Sequence, residues 1–321
     1  MNLLVTGSSG LIGSALLERL STDGHRATRL VRHPTTPATG PAPEPSQAGS
    51  GTSSRTTEVH WDPSQGVIDL EGLEAAGPFD GVVHLAGAGI GDKRWSTARK
   101  QTLVDSRTGS TGLLVNSLLQ LAPRPPVLIS ASAVGYYGDG GDRELTEEAP
   151  QGPGFLGEVC GLWEQATAPA AEAGIRTVNL RSGIVLSASG GALATMLRLF
   201  KLGLGGKLGT GAQYQSWITL EDEIDVILRA LVDGSTAGPL NATAPEPVTN
   251  AELSAAIARA VHRPCLLTVP KTALRLAVGS EMADEMLLSG QRAIPAGLTA
   301  IGYTFRHPDL DEALRHIVAG S

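Results

Sequence analysis

The sequence lacks the features that mark membrane, secreted and nucleic-acid-binding proteins. Its 321 residues contain no strongly basic block and no apolar run near the ~20 residues that a membrane helix needs. The formal net charge is −7, which argues against a nucleic-acid surface and against a polybasic membrane anchor. The first residues reach glycine too early for a secretory signal. We therefore expect a cytoplasmic protein without nucleic-acid or membrane partners.

Cysteine is scarce, and the histidines follow no metal-binding pattern. Cys160 and Cys265 are the two cysteines, so a disulfide framework is not expected. The seven histidines are scattered, without a His-x-x-x-His pair and without a cysteine cluster beside them. The sequence therefore predicts neither a structural nor a catalytic zinc site.

Short apolar runs alternate with amphipathic segments through the first half of the chain. Strands are predicted at 3–6, 27–31, 81–85, 127–130 and 177–181, and helices at 11–20, 103–121 and 157–173. Apolar strands between helices are typical of a parallel sheet that is buried on both faces. Right-handed crossovers then predict an α/β fold with a doubly wound parallel sheet of the Rossmann type.

Composition divides the chain into two lobes and one insertion. Residues 35–57 are almost entirely Pro, Gly, Ala, Ser and Thr, which predicts a flexible loop without a function of its own. Residues 1–181 form the predicted Rossmann domain. Residues 182–321 form a smaller α/β lobe, from which 217–245 is expected to return to the first domain. In this second half we expect helices at 221–231 and 310–318, a helix capped by Asn250, and a strand at 265–269.

A glycine-rich turn joins the first strand to the first helix. Glycines there permit a tight bend, close approach of a pyrophosphate and close packing of the helix on the strand. The helix N-terminus then offers free N–H groups to the phosphates. A tight turn without a ligand is the alternative, but the position between a strand and an amphipathic helix favours a dinucleotide. The residues expected at the cofactor are Thr6, Gly7, Ser8, Ser9, Gly10, Leu11, Ile12 and Gly13.

The second strand indicates which dinucleotide is bound. An acidic residue at its end would hold the ribose 2′-hydroxyl of NAD, but residues 29–33 contain no acid. Arg32 stands there instead, and its guanidinium matches the oxygens of a 2′-phosphate. A solvated arginine at a strand end is the alternative. The missing acid and the arginine together predict NADP(H).

Motifs along nearly the whole chain resemble the extended short-chain dehydrogenase/reductases, and more narrowly their epimerase-like branch with a C-terminal DUF1731 segment, here about 250–318. Besides the glycine turn, the motifs are Val83-His84-Leu85-Ala86-Gly87, Lys93-Arg94-Trp95, Asp105-Ser106-Arg107, Ile129-Ser130-Ala131-Ser132, Ala133-Val134-Gly135-Tyr136-Tyr137-Gly138, Leu180-Arg181-Ser182-Gly183-Ile184-Val185-Leu186, Gln215-Ser216-Trp217-Ile218 and Gly290-Gln291-Arg292.

The resemblance implies a Rossmann fold whose smaller lobe closes over a nicotinamide cofactor. It places Asp62 near the adenine, and Leu85, Ala86, Gly87 and Ser130 along the cofactor. Relatives are described as nucleoside-diphosphate-sugar epimerases, and some are linked to cell or plastid division. The resemblance therefore implies a small-molecule substrate such as a sugar nucleotide, and a homodimer is expected by the same comparison.

The chain departs from this family at its catalytic residues. Short-chain dehydrogenases use a serine to position the substrate oxygen and a Tyr-x-x-x-Lys pair, in which the lysine depresses the pKa of the phenol. Ser132 matches the serine, but Leu156 and Cys160 stand at the tyrosine and lysine positions, and the chain contains no Tyr-x-x-x-Lys. Cys160 is either a reactive thiol or a small buried hydrophobe. Tyr136 and Tyr137 are the nearest substitutes, either as acid/base groups or as packing residues.

Five further residues are candidates for substrate contact: Arg107, Arg181, Lys207, Gln213 and Trp217. The two arginines either bind a substrate phosphate or pair internally with carboxylates. The other three either line the substrate cleft or belong to a plain surface loop. Asp222 and Glu223 most simply favour the start of the helix that they enter.

Two functions of different classes follow from these residues. The first is an NADP(H)-dependent epimerase or oxidoreductase that transfers hydride without the usual Tyr-x-x-x-Lys pair. The second is a catalytically silent NADP(H)-binding protein that senses redox state or regulates division or metabolism. The missing pair favours the silent protein, whereas the well-formed second lobe with its glycine-rich rim favours the enzyme.

Overall fold

The side chains of the first strand alternate between two hydrophobic cores. Leu3 and Val5 pack into one core, while Leu4 between them packs into a second core, because successive side chains of a strand point to opposite faces of the sheet. All three are fully buried. In this computed structural model, which describes residues 1–34 and 56–320, these two cores lie on opposite faces of the central sheet.

The strands of the described residues are short and most of them pair in parallel. Their bounds are β1 (Asn2–Thr6), β2 (Arg26–Val31), β3 (Thr56–Asp62), β4 (Val67–Ile68), β5 (Gly81–His84), β6 (Val127–Ala133), β7 (Glu144–Leu145), β8 (Arg176–Ser182), β9 (Ile184–Leu186), β10 (Gly206–Leu208), β11 (Tyr214–Gln215), β12 (Trp217–Thr219), β13 (Gly238–Ala242), β14 (Val248–Thr249), β15 (Leu267–Val269) and β16 (Arg292–Ala293).

Helices connect these strands and form most of the second lobe. Their bounds are α1 (Leu11–Thr22), α2 (Leu70–Ala76), α3 (Thr97–Leu118), α4 (Phe155–Gln165), α5 (Ala168–Glu172), α6 (Gly191–Lys201), α7 (Leu220–Val232), α8 (Asn250–Ala260), α9 (Lys271–Val278), α10 (Ser280–Met282), α11 (Ala296–Ala300) and α12 (Leu310–Ala319), with a 3₁₀ turn at Val134–Tyr137 and a π-helical turn at Ala283–Leu288.

Eight strands form the main sheet in the order β13-β8-β6-β5-β1-β2-β3-β4. Every neighbouring pair is parallel except β3 with β4. The chain leaves β1 toward β2 and β3 on one side and later continues through β5, β6 and β8 on the other. The strand order therefore reverses between β1 and β5, and a ligand crevice is expected at the carboxyl ends of these two strands.

The smaller lobe has a hydrophobic core of its own, built from residues of α6, α8 and α12. Helix α7 packs instead into the core beside β1, and β13 extends the main sheet next to β8. The boundary predicted at residue 181 stays a prediction. Among the described residues, no helix combines the length and the apolar character that crossing a bilayer requires.

The flexible insertion predicted at 35–57 extends two residues too far toward the C-terminus. Residues 35–55 lie outside the described residues, but Thr56 and Thr57 already belong to β3, where they pair with Ala27 and Thr28 of β2. This strand was not predicted because the residues before it show no strand pattern, although its own β-branched threonines suit a pleated sheet.

Two helix predictions also differ from the structure. The helix predicted at 157–173 is divided into α4 and α5, because Pro169 lies in the first turn of α5 and cannot donate a backbone hydrogen bond into a continuous helix. Helix α8 is capped by Thr249 rather than by Asn250. The Thr249 hydroxyl accepts from the backbone N–H of Glu252, whose carboxylate accepts from the backbone N–H of Thr249.

Candidate functional site

The backbone of the glycine turn, residues 7–13, forms a cradle that a ligand can approach, because Gly7, Gly10 and Gly13 have no side chain. Gly7 has a φ of +65°, and a Cβ placed on it would lie 2.5 Å from the Leu85 carbonyl oxygen. A Cβ on Gly13 would lie 2.3 Å from the Gly7 oxygen. Gly10 begins helix α1 without a side-chain cap, and its own N–H donates to the Gly7 oxygen at 3.0 Å. The free N–H groups of the first helical turn therefore face this cradle, which fits a pyrophosphate.

A buried hydrogen-bond network supports the cradle from below. The Thr6 hydroxyl lies 2.7 Å from His84 Nδ1 and accepts from the backbone N–H groups of Leu85 and Ala86, each at 3.2 Å. His84 Nε2 lies 3.0 Å from the hydroxyl of Thr111. Burial lowers the pKa of His84 to about 4. The predicted cofactor contact of Thr6 is corrected, because its side chain is fully buried and positions the β5 loop instead.

Two arginines of β2 and its end lie beside the cradle with different partners. The Arg29 side chain donates to the Ser8 hydroxyl at 3.1 Å and pairs with Glu58 at 3.2 Å. Arg32 is exposed. Its charge is one cause that lowers the pKa of Asp62, after the hydrogen bond from the Ser64 hydroxyl to that carboxylate. The structure therefore brings together Arg32 and Asp62, which the sequence assigns to the adenosine half of the cofactor.

The residues expected along the nicotinamide half differ in accessibility. Leu85 and Ala86 are half-buried and Gly87 is exposed, at the carboxyl end of β5 beside the cradle. Ser130 is fully buried in β6, so the prediction that its side chain contacts the cofactor is corrected. A Cβ on Gly87 would lie 3.5–3.7 Å from the side chain of Arg107, which places that guanidinium at the same edge of the sheet.

A buried polar cluster occupies the carboxyl ends of β6 and β8. Arg181 donates to both carboxylate oxygens of Glu164 at 2.8 Å, and the Ser132 hydroxyl donates to the same carboxylate at 2.6 Å. Arg181 also donates to the Tyr137 hydroxyl at 3.0 Å, which donates to Asn241 Oδ1 at 2.7 Å. Of the two roles considered for Arg181, the internal ion pair is therefore the one observed.

This cluster leaves Tyr136 as the remaining acid/base candidate. The Tyr137 side chain is buried with its hydroxyl fully engaged, and burial raises its pKa, so of its two considered roles the packing one is favoured. Ser132 is also buried and bonded to Glu164, and its catalytic role stays a prediction. Tyr136 is half-buried, its hydroxyl has no hydrogen bond among the described residues, and the Arg181 guanidinium lies 3.5 Å from its ring centroid.

The positions of the missing Tyr-x-x-x-Lys pair are filled by apolar groups. Leu156 and Cys160 pack against Gly135, where a Cβ would lie 3.4 Å from the Leu156 Cβ and 3.9 Å from the Cys160 sulfur. Burial raises the pKa of the Cys160 thiol to about 12, so it stays protonated and behaves as a small hydrophobe. The Glu285 carboxylate accepts from the N–H groups of Phe155 and Leu156 and so fastens the start of α4 to the C-terminal segment.

Three second-lobe residues were expected to line the substrate cleft. Trp217 is 1% exposed and its indole N–H donates to the Glu246 oxygen, so this prediction is corrected: the ring fills the core of the smaller lobe. The Gln213 amide donates to two backbone oxygens, those of Leu208 and Leu287, which ties its loop to the C-terminal segment. Lys207 is half-buried in β10 without an ion-pair partner among the described residues.

Two carboxylates at this site were not predicted from the sequence, and a third, Glu223, was predicted only to favour the start of its helix. Glu164 joins Ser132 to Arg181, Glu285 holds the start of α4, and Glu223 lies fully buried at the start of α7. Of the three, only Glu164 has a spacing in the sequence from which its place beside the site could have been predicted. It follows Leu156 and Cys160 at intervals of four, which puts all three on one face of a helix.

These features are those of a dinucleotide-binding fold with its crevice at the β1–β5 switch point. Comparison with family models agrees. The chain belongs to the NAD dependent epimerase/dehydratase family, whose model matches residues 3–242. A domain of unknown function, DUF1731, matches residues 269–317. The predicted fold, family and nicotinamide cofactor class are confirmed.

Relatives that match the chain over nearly its whole length carry epimerase-family names. The epimerase family protein Mb2239 of Mycobacterium bovis is 45% identical over 310 residues, 97% of this chain and 95% of that protein. The crystal structure of human epimerase family protein SDR39U1 with NADPH is 30% identical, covers 100% of both chains and has a TM-score of 0.85. A nucleoside-diphosphate sugar epimerase of Corynebacterium glutamicum is 34% identical, with a TM-score of 0.77 over 100% of this chain and 59% of that chain.

Proposed function

We propose that this chain is an NADP(H)-dependent epimerase or oxidoreductase that transfers hydride to and from a sugar nucleotide or a similar anionic small molecule. Support for the cofactor comes from Arg32 beside the glycine cradle, from the absence of an acid at the end of β2, and from the NADPH in the human relative. Support for the substrate class comes from the name of the relative in Corynebacterium glutamicum. When bound, the oxidised cofactor would accept a hydride from the substrate and the reduced cofactor would return it.

The observation that carries the substrate proposal is the unpaired guanidinium of Arg107. It projects from α3, lies 4.9 Å from the Trp163 ring and makes one described hydrogen bond, from Nη1 to the Leu103 oxygen. Among the described residues no carboxylate pairs with it, and burial lowers its pKa. An arginine cannot lose its proton in a protein, so a largely buried guanidinium of this kind favours an anionic ligand. Gly87 leaves room for that ligand to approach.

Proton transfer in this proposal falls to Tyr136 or to a group of the substrate. Neither Leu156 nor the protonated Cys160 can exchange a proton near neutral pH. Tyr136 lies four residues beyond Ser132 and has a hydroxyl without a partner among the described residues. Arg181 beneath its ring is already balanced by Glu164, so it fixes the position of the ring.

The test is hydride transfer within the loaded protein. The protein is mixed with NADP⁺ and a panel of nucleoside-diphosphate sugars, and NADPH absorbance and epimer formation by NMR are followed. We expect turnover with at least one sugar nucleotide. For Arg107→Met we expect KM to rise by at least about tenfold, because a charge-assisted hydrogen bond contributes roughly 1.5–3 kcal/mol. The exposed Arg315→Met is the matched control. No transfer with any of the panel while NADPH binds tightly would contradict the enzymatic proposal.

One observation favours a second candidate, a silent NADP(H)-binding regulatory or redox-sensing protein. Leu156 and Cys160 fill the catalytic positions with groups that cannot act as acid, base or fixed cation. This candidate predicts tight cofactor binding, no hydride transfer, and a difference between the NADPH and NADP⁺ complexes in hydrogen exchange of α4. Equal exchange in both complexes would contradict it. A cytoplasmic location and a homodimer stay predictions.

A further inference from the structure

Two histidines and a glutamate meet at the surface of the second lobe. Glu221 Oε2 lies 2.9 Å from His307 Nε2, and Glu221 Oε1 lies 3.1 Å from His316 Nε2. All three residues can direct a ligand atom to one point, since these atoms lie within 4.8 Å of one another. The two imidazole rings are stacked, with centroids 4.6 Å apart and planes inclined by 27°.

The backbone around the cluster is held by a neighbouring buried carboxylate. Glu221 lies in the first turn of α7, His307 in the loop before α12, and His316 in the last turn of α12. Asp222 accepts from the backbone N–H groups of Arg306 at 2.7 Å and His307 at 3.1 Å. The loop that carries His307 is therefore fixed to α7 independently of the cluster, which preorganises the three side chains.

We propose that Glu221, His307 and His316 form a Zn²⁺ site that links the C-terminal helix α12 to α7. Two imidazole nitrogens and one carboxylate are ligands that zinc prefers, with the fourth tetrahedral position left to water. In a zinc site with bonds of about 2.0–2.1 Å, neighbouring ligand atoms lie about 3.4 Å apart. The observed separations would have to change by small rotations of the side chains, of which Glu221 and His316 are exposed and His307 is half-buried. The ion would replace the two hydrogen bonds that join His307 Nε2 and His316 Nε2 to the Glu221 carboxylate.

The charges around the cluster are compatible with a cation. Glu221 carries the negative charge that faces the site, and the two histidines lower its pKa against the opposing effect of burial. Arg306, the cation whose charge interacts with Glu221, is paired with Asp225. The histidine spacing in the sequence predicts no metal site, because the ligands are separated by up to 95 positions. Only folding of the C-terminal segment onto α7 brings them together.

Zinc titration of the full-length protein, after treatment with a chelator, tests this proposal. We expect one Zn²⁺ per chain by calorimetry, and a Co²⁺ complex with the strong visible absorption of a tetrahedral site. The same ion should raise the melting temperature, since it binds the folded state alone.

Two variants and a control distinguish this site from adventitious binding. His316→Ala and Glu221→Gln should each weaken Zn²⁺ binding by at least about tenfold, roughly 1.4 kcal/mol, and should abolish the zinc-dependent rise in melting temperature. His25→Ala, whose described contact is with the N-terminal amine, should change neither. Unfolding of each variant in chelator checks that it still folds. Zinc binding of unchanged affinity in His316→Ala, or no stoichiometric binding by the unaltered protein, would overturn the proposal.

Discussion

Glu223 should make the protein less stable as the pH rises through neutrality. Its side chain is fully buried at the start of α7, where one carboxylate oxygen accepts from the Ser182 hydroxyl at 2.6 Å. The other oxygen is buried without a partner among the described residues. Burial raises the pKa of this carboxyl from its ordinary value of 4.5 to about 7, because the charged form loses more solvation than one hydroxyl restores.

The direction and size of the effect follow from linkage. The folded state holds this proton more tightly than the unfolded state, so the contribution to stability is full below pH 4.5 and is lost as the pH rises through 7. A shift of this size corresponds to about 3 kcal/mol, since one pKa unit equals about 1.4 kcal/mol. Water that reaches the site lowers this value, so it is an upper limit.

Replacement of the carboxyl by an amide isolates this contribution. Glu223→Gln keeps an acceptor for Ser182 and stays neutral at every pH. We expect urea unfolding between pH 4.5 and 7.5 to show that the free energy of unfolding of the unaltered protein falls, relative to that of Glu223→Gln, as the pH rises. Glu18→Gln, at an exposed position of α1, should keep the fall. The same pH dependence in Glu223→Gln and in the unaltered protein would refute the reasoning.

Three further predictions concern the site and its support. His84 has a folded pKa of about 4 against an ordinary 6.5, so its own contribution to stability should be full above pH 6.5 and fall by up to about 3 kcal/mol toward pH 4. An NMR titration in which the His84 ring protonates near 6.5 in the folded protein would contradict this. Gly13→Ala should destabilise the folded protein by about 1–3 kcal/mol and weaken NADPH binding, because its Cβ would meet the Gly7 oxygen. The control Gly112→Ala, with open space at its Cβ, should leave the stability unchanged or raise it. Arg181→Met should lower the free energy of unfolding by about 3–5 kcal/mol, because it leaves the Glu164 carboxylate buried and unpaired. Adding Glu164→Leu should restore part of that loss. A double variant whose denaturation midpoint does not recover would count against the ion pair.

The fold and the cofactor cradle could be predicted from the sequence because their signals are local. The turn from β1 to α1 needs glycine where a Cβ would strike backbone, as at Gly7 and Gly13, and this requirement is visible in a few consecutive residues. The alternation of Leu3, Leu4 and Val5 between two cores is equally local. Strand β3 was not predicted, because it follows a segment whose composition carries no periodic pattern.

The polar cluster and the zinc site could not be predicted, because their contacts are formed by tertiary packing. Nothing near Arg181 in the sequence indicates whether its partner is a substrate phosphate or Glu164, which lies 17 positions earlier. The sequence around Trp217 fits a cleft residue and a core residue equally well. Only the packing of the smaller lobe around the ring shows that it belongs to the core. Likewise, His307 and His316 meet Glu221 only when the C-terminal helix lies against α7.

The central claim, an NADP(H) site at the glycine cradle, is tested most directly by calorimetric titration of the purified protein with NADPH and NADH, repeated on Arg32→Ala. We expect NADPH to bind more tightly than NADH. We also expect Arg32→Ala to weaken NADPH binding by at least about tenfold while NADH is unaffected, because the proposed partner of the guanidinium is the 2′-phosphate, which NADH lacks. Binding of neither cofactor, or equal affinities that Arg32→Ala leaves unchanged, would contradict it.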